Sequence, residues 1–385
     1  MSALATLPMR SLLDITQKAR QSKGRAHVWC LNLDQIESHS GKVLSKLKMV
    51  ASGVGSSTYG FEAGTVLYSK LRPYLNKVVV ADADGIATTE LVPLRCDESK
   101  AMPHYLAHFL RSPVFLAFAT NVVAGAKMHR MVMGDFWNYP VPLPPLNDQR
   151  RITAILDQAE TLRTQRRQAL AHLDTLTQSL FHGMFGDPAI NPRRFQTKSL
   201  GEVSTFYGGN SLPHGLGFTG QAGGYFLMKV SDMNLPGNER EIFQCQSWSN
   251  VAGSKASTCP IGSIVVPKRG GAIGTNKKRI TTRLTVLDPN LMAICPDHGQ
   301  LNQAFLFQWF LDFDLASIAS GSSVPQLNKQ DLAPLTMLVP PLPLQKTFAT
   351  RIQAIEALKA THRTALQELD KLFASLQHRA FTGEL

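Results

Sequence analysis

The sequence predicts an α+β protein in which two mixed α/β modules, related by pseudo-twofold symmetry, are separated by two long antiparallel coiled-coil helices. Three observations predict it. The chain has 385 residues, 44% hydrophobic and 18% charged, the size and balance of a globular protein of two or three domains. A long segment of it occurs twice, and each copy carries a heptad pattern of apolar residues.

The repeat fixes the organisation. Pro144-Pro145-Leu146-x-x-Gln149 recurs as Pro340-Pro341-Leu342-x-x-Gln345, a shift of 196 residues, and 16 of the 42 positions from Pro144 to Phe185 are identical at that shift. Upstream, Gly125 and Asp135 match Gly321 and Asp331 at the same shift, and Gly64 and Lys70 match Gly262 and Lys268 at a shift of 198. Between these anchors the halves differ. The expected order is therefore a first variable module, 1–148, a first helix, 149–187, a second variable module, 188–344, and a second helix, 345–385.

Each variable module, about 150 residues, is long enough for its own core. β-branched runs such as Lys77 to Ala81 and Ser263 to Pro267 alternate with Gly and Asp turns, and Tyr105 to Leu110 and Ala304 to Leu311 read as short helices. In the first matched segment one heptad row is Ile152, Ala159, Leu173 and Leu180, and the other is Ile155, Leu162, Ala169 and Leu176. In the second, Phe348, Ile355, Leu369 and Leu376 form one row, and Leu358, Ala365 and Leu372 the other. The predicted seam thus comprises Ile152, Ile155, Leu162, Leu173, Leu176, Leu180, Ile355, Leu358, Leu369, Leu372 and Leu376. The third a position is polar in both copies, Arg166 and His362, a choice that costs stability and fixes register, or else marks side chains leaving a loose seam.

A helix of about 35 residues spans roughly 50 Å at 1.5 Å per residue. With one apolar stripe it cannot stand alone in water, and its own repeat is the natural partner, so the helices are expected to pair antiparallel with a module at each end. Pro140 to Pro145 and Pro340 to Pro343 enforce extended entries, and Gly183, Gly186 and Gly383 lie near the helix ends. Met1 to Lys18 lacks a charged stretch followed by an apolar one, and no uncharged stretch is apolar enough to span a bilayer, so neither a signal peptide nor membrane association is expected. The cysteines Cys30, Cys96, Cys245, Cys259 and Cys295 are odd in number and unpaired in spacing, which disfavours a disulfide framework and a zinc site and fits the cytoplasm.

A formal net charge of +12 favours a polyanionic partner, although it also suits a protein merely kept soluble. Catalytic signatures fail on context. Gly215-x-Gly217-x-x-Gly220 matches a dinucleotide-binding pattern, but Pro213 precedes it and no amphipathic helix follows, so a loop is expected. Glu98-x-Lys100 lacks the remaining carboxylates of a nuclease site, Gly270 to Gly274 lacks the Gly-Lys-Ser/Thr of a phosphate loop, and Asn191-Pro192 is followed by Arg193 rather than by proline and an aromatic residue. No metal site is expected.

Cations in glycine-bearing loops carry more information. Lys268, Arg269, Lys277, Lys278, Arg279 and Arg283 fall within sixteen residues that contain no acid, with Gly270, Gly271 and Gly274 allowing close backbone approach. In the first module Lys70, Arg72 and Lys77 occupy the matching region, and Lys127 and Arg130 follow Gly125. All but Arg283 are candidate DNA contacts, Arg suited to guanine edges and Lys to phosphates, against the alternative of a solvated face.

The doubled Pro-Pro-Leu-x-x-Gln ahead of a long helix, the Leu200-Gly201-Glu202-Val203 opening of the second module and the Gly-x-x-x-x-x-Lys pairs at Gly64 and Gly262 resemble the specificity subunits of type I restriction-modification systems. The resemblance covers essentially the whole chain. It implies two target recognition domains, each reading half of a bipartite, asymmetric site in double-stranded DNA, with the helices as spacer and docking surface. It also implies a non-catalytic chain that binds no cofactor itself, docks methyltransferase subunits, expected to number two and to carry S-adenosylmethionine, and reaches restriction translocase subunits through the complex. One departure is Pro343-Leu344 in place of Asn147-Asp148, which leaves the second helix without an evident N-cap. Two readings from other classes are an unrecognised nuclease or methyltransferase and a coiled-coil scaffold for proteins.

Overall fold

The computed structural model of the chain describes residues 4–14, 27–50, 58–125, 128–321 and 324–385. Strands β1 (Thr6–Pro8), β2 (His27–Leu31), β3 (Leu47–Val50), β4 (Thr58–Phe61), β5 (Val66–Ser69), β6 (Val78–Val80), β7 (Gly85–Thr88) and β8 (Leu91–Leu94) lead to helices α1 (Pro103–Leu110) and α2 (Pro113–Asn121). The pair β9 (Val123–Ala124) and β10 (Arg130–Met131), helix α3 (Met133–Asn138) and β11 (Pro140–Pro142) precede the first long helix, α4 (Leu146–Phe185). Then come β12 (Gln196–Ser199), β13 (Ser204–Gly208), β14 (Leu216–Gly217), β15 (Tyr225–Met228), β16 (Glu241–Ile242), β17 (Ser247–Ser249), β18 (Thr258–Cys259), β19 (Ile264–Pro267), β20 (Arg279–Thr281), β21 (Thr285–Leu287) and β22 (Leu291–Pro296). Helices α5 (Gln303–Leu311) and α6 (Lys329–Leu332), strand β23 (Thr336–Val339) and the second long helix, α7 (Leu342–Thr382), complete the chain.

The chain divides into two compact units, Met1–Ala169 with His362–Leu385, and Leu170–Thr361. In the first, β3-β2-β7-β4 form one sheet and β6-β5-β8 another. In the second, the orders are β14-β17-β15-β21-β18 and β13-β22-β19-β20-β16. The shared skeleton is a parallel pair, β2 with β7 and β15 with β21, beside an antiparallel triplet, β6-β5-β8 and β20-β19-β22. Leu216–Gly217, expected as loop, is a short strand paired to Ser247 and Trp248. The Cβ-less Gly215 beside it permits that approach, since a Cβ there would lie 2.4 Å from the Leu227 side chain.

The repeated Pro-Pro-Leu-x-x-Gln motif has a structural reason. Fully buried Gln149 accepts from the Met102 backbone N–H at 2.9 Å and donates to the carbonyls of Lys100 at 2.8 Å and Pro144 at 2.9 Å. Gln345 does the same with Asn302 at 2.8 Å, Gln300 at 3.0 Å and Pro340 at 2.7 Å. One amide thus satisfies backbone groups that burial would otherwise leave unpaired, and ties the helix entry to the turn before α1 or α5. That turn, 97–100 in one unit and 297–300 in the other, contains Glu98-x-Lys100; Lys100 pairs with Asp97 at 2.8 Å, and Gln300 replaces it in the second copy. α7 begins at Leu342 with Pro343 in its first turn, where no N–H is needed, so the missing N-cap residue is of no consequence.

The ends of the long helices are part of the cores. Ile152, Leu156, Ala380 and Phe381 join the first unit's core, and Phe181, Phe185, Phe348, Ile352 and Ile355 the second's. Within the first unit, Arg163 of α4 meets Asp370 of α7 at 2.7 Å and Arg166 meets His362 at 3.1 Å; within the second, Lys359 meets Asp174 at 2.8 Å and Arg351 approaches the Met184 sulfur at 3.8 Å. In both, partner numbers fall as helix numbers rise, so the segments are antiparallel. Arg166 and His362 are repeat counterparts and face each other.

The seam differs from the expected heptad. Ile152 and Ile355 are buried and Ile155, Leu173, Leu180, Leu369 and Leu376 half-buried, but Leu162, Leu176, Leu358 and Leu372 are 43%, 48%, 47% and 50% exposed. Leu156 and Ile352, repeat counterparts outside both expected rows, are buried instead. Near its ends each helix turns its apolar stripe into a module core, and between the ends it has one neighbouring helix, which covers too narrow a stripe to bury both rows.

Candidate nucleic-acid interface

After β5, the segment Lys70-Leu71-Arg72 runs into a 3-10 turn, Pro73–Leu75, and is held on one side by a loop that folds back from β9 to β10. The Met131 N–H donates to the Lys70 carbonyl and the Arg72 N–H to the His129 carbonyl, both at 2.8 Å, with a bridge between Leu71 and Arg130. The second unit repeats the clamp after β19. The Leu327 N–H donates to Lys268 at 2.9 Å, the Gly270 N–H donates to Pro325 at 2.8 Å, and Arg269 bridges Gln326. Gly125 and Gly321 turn the clamping loops with φ of 98° and 94°, and a Cβ at either would lie within 2.8 Å of a backbone carbonyl. The upstream matches of Gly125 with Gly321 and of Lys70 with Lys268 therefore belong to two equivalent clamps.

The clamps differ in what they present. Arg72 and Gly270 occupy equivalent positions, both at positive φ, 50° and 71°. A non-glycine residue there costs on the order of 1 kcal/mol, and the following Pro73 disfavours helical backbone at Arg72 further. Arg72 is exposed, as are Tyr74 and His129.

The predicted cations separate into two groups. Among the described residues Lys70, Arg72, Lys268 and Arg269 have no side-chain partner; Arg72 and Arg269 are exposed and the two lysines half-buried. The rest bond internally. Lys77 donates to the Leu33 carbonyl at 2.6 Å, and Arg130 forms a forked pair with Glu90 at 2.9 and 3.2 Å. Lys277 bonds Asn234, and Arg279 bonds the Met233 carbonyl at 3.0 Å and that of Lys278 at 2.8 Å. Lys278 is a correction to the expected exposed cation: it is 2% exposed, its ammonium bonds the Phe313 carbonyl at 2.6 Å and Asn276 at 2.7 Å, and burial pushes it down to about 8. Arg283 holds the Gly223 and Ala222 carbonyls at 3.0 and 3.2 Å and lies over the Phe226 ring. Lys127 lies outside the described residues. Charge density along the sequence could not separate these groups, because what distinguishes them is the carbonyls that other strands bring near.

Among the described residues no cluster of three or more His, Cys, Asp or Glu is placed to hold a metal ion, and no helix is long and apolar enough to cross a membrane. Burial raises all five thiols, Cys96 and Cys259 to about 12, so none is a thiolate nucleophile at neutral pH. A polar cavity of about 540 Å³ in the first unit contains His108, buried and bonded to Asp157 at 2.7 Å, with Arg111 at 3.3 Å from its other nitrogen. Nε2–H therefore donates to Asp157 while Nδ1 accepts from Arg111. Burial keeps the ring below its ordinary value, and the hydrogen bond from it holds Asp157 below the usual carboxylate range.

Comparison with known proteins agrees with this arrangement. Residues 53–172 match the family model of the type I restriction modification DNA specificity domain. The type I restriction enzyme EcoDI specificity subunit of Escherichia coli is 31% identical over 176 residues, 45% of this chain and 39% of that one, so the match spans well under half of that relative. A chain from a structure of type I restriction-modification assembly and conformational transition superposes with a TM-score of 0.60 at 19% identity, covering 100% of this chain and 99% of that one. The crystal structure of a type I restriction-modification S subunit from M. genitalium gives 0.60 at 14% identity, covering 98% and 96%. At those identities the two structures speak for the fold, and the sequence matches speak for descent. The chain is thus similar in sequence, over part of its length, to type I restriction-modification specificity subunits, and it shares its fold with a solved S subunit over nearly its whole length.

Proposed function

We propose that this chain is the DNA-reading, non-catalytic subunit of a type I restriction-modification complex, each unit reading one half of a bipartite, asymmetric target. The observation that carries this is the doubled clamp, the same backbone hydrogen bonds framing different side chains, Lys70 with Arg72 in one unit and Lys268 with Arg269 and Gly270 in the other. Equal scaffolds with unequal contacts fit unequal half-sites. The test is binding by the chain with its methyltransferase partner at physiological salt, on duplexes with either half of the mapped methylation target scrambled. Scrambling either half is expected to cost about 1,000-fold or more, the low end of the ratio of specific to non-specific binding; equal affinity for intact and fully scrambled DNA overturns the proposal.

The exposed leucines support the partner assignment. The first unit presents Leu162 and Leu372 and the second Leu358 and Leu176, the same repeat positions with the helices exchanged. Two equivalent apolar pairs suit two copies of one partner, the methyltransferase, which would carry S-adenosylmethionine; translocase subunits would join through that complex, in the cytoplasm. Leu162→Glu and Leu358→Glu are each expected to remove one methyltransferase copy in sizing experiments while leaving the isolated chain folded. Unchanged stoichiometry in both variants counts against these leucines as the docking surface.

A further inference from the structure

We infer that Arg72 reads a guanine in the half-site bound by the first unit; this deepens the DNA-reading proposal and rests on it. The clamp requires positive φ at this position, and the second unit meets the requirement with Gly270. The first unit places arginine there, ahead of a proline, where both neighbouring effects oppose the conformation. No packing role accounts for that choice. The side chain is exposed and has no partner among the described residues, whereas neighbouring Lys77 and Arg130 are bonded to Leu33 and Glu90.

The backbone at Arg72 is tied down by His129 before it and by the turn after it, where the Leu75 N–H donates back to the Arg72 carbonyl at 2.9 Å. The guanidinium therefore extends from a fixed point, with Lys70 two residues away. A planar fork on a rigid root is the arrangement that pairs bidentately with the O6 and N7 edge of guanine, and its fixed geometry discriminates more sharply than the flexible point charge of a lysine. The second unit has backbone in that place, so its half-site is read by other groups.

The test uses the full chain with its methyltransferase partner, the mapped target duplex, and single base-pair replacements along the first half-site. Arg72→Gly keeps the backbone that Gly270 already adopts and should fold with an unchanged or higher Tm. It is expected to weaken binding to the intact target about ten- to a hundredfold, and to abolish the penalty for replacing one particular G·C pair while leaving the other penalties in place. Arg72→Lys should weaken the same discrimination while keeping its charge. If Arg72→Gly binds the target as wild type does, or if Arg72→Lys retains full discrimination at every position, the inference is overturned. Failure of the wild-type complex to prefer its target would instead overturn the DNA-reading proposal itself.

Discussion

The two units anchor the long helices in different ways. In the second, Phe181 and Phe185 of α4 meet Phe305 of α5 and Phe348 of α7, with ring centroids 4.7 to 5.6 Å apart. In the first, Phe381 of α7 meets Tyr105 and Phe109 at 5.6 and 5.3 Å, and a polar chain, Arg111 to His108 to Asp157, connects α1 to α4. The repeat kept the positions that must be filled and let the chemistry change. A helix interior accepts any well-packed side chain of suitable volume, and a buried polar group is tolerated only with its partners.

That contrast can be broken most forcefully at Phe185 and Phe381, which are repeat counterparts. Phe185→Ala is expected to cost about 3–5 kcal/mol and Phe381→Ala to fall at the lower end of that range. The reason is that Phe185 is fully buried against four other phenylalanine rings, counting Phe195, whereas Phe381 is 8% exposed and touches two. Denaturant unfolding, with hydrogen exchange to assign each loss to its unit, measures both; a larger loss from Phe381→Ala would reverse the ranking.

A smaller effect sharpens the comparison. His108 is replaced by buried Gln308 at the equivalent place in α5. Because burial lowers His108, the unfolded chain takes up a proton below pH about 6.5 that the folded unit refuses, and stability falls with pH by at most about 1.4 kcal/mol per unit over that window. Protonation of Asp157, held low by the same hydrogen bond, removes further stability below the usual carboxylate range. His108→Gln is expected to flatten the first dependence, read from urea midpoints at pH 7.5 and 5.5. An unchanged slope would overturn the assignment of this dependence to His108.

Much of this was legible in the residues. The repeat implies two modules, and Gly125, Gly321, Lys70 and Lys268 stand out in it as matched positions, but that they form two clamps is visible only in the hydrogen bonds. The heptads announced two long helices, because periodicity reports which face is apolar. They could not report what covers that face, and Leu162, Leu176, Leu358 and Leu372 stayed exposed. In the same way, six loop cations looked alike in sequence until carbonyls from distant strands met some of them and left others in solvent.

The chain alone thus determined its elements, their repetition and the glycines its turns require, since these follow from side-chain period and backbone freedom within a few residues. Tertiary structure decided which arginine is free, which lysine is buried and which leucines face water. Those outcomes depend on groups scores of residues apart in the chain, and no local pattern encodes a neighbour that only folding supplies.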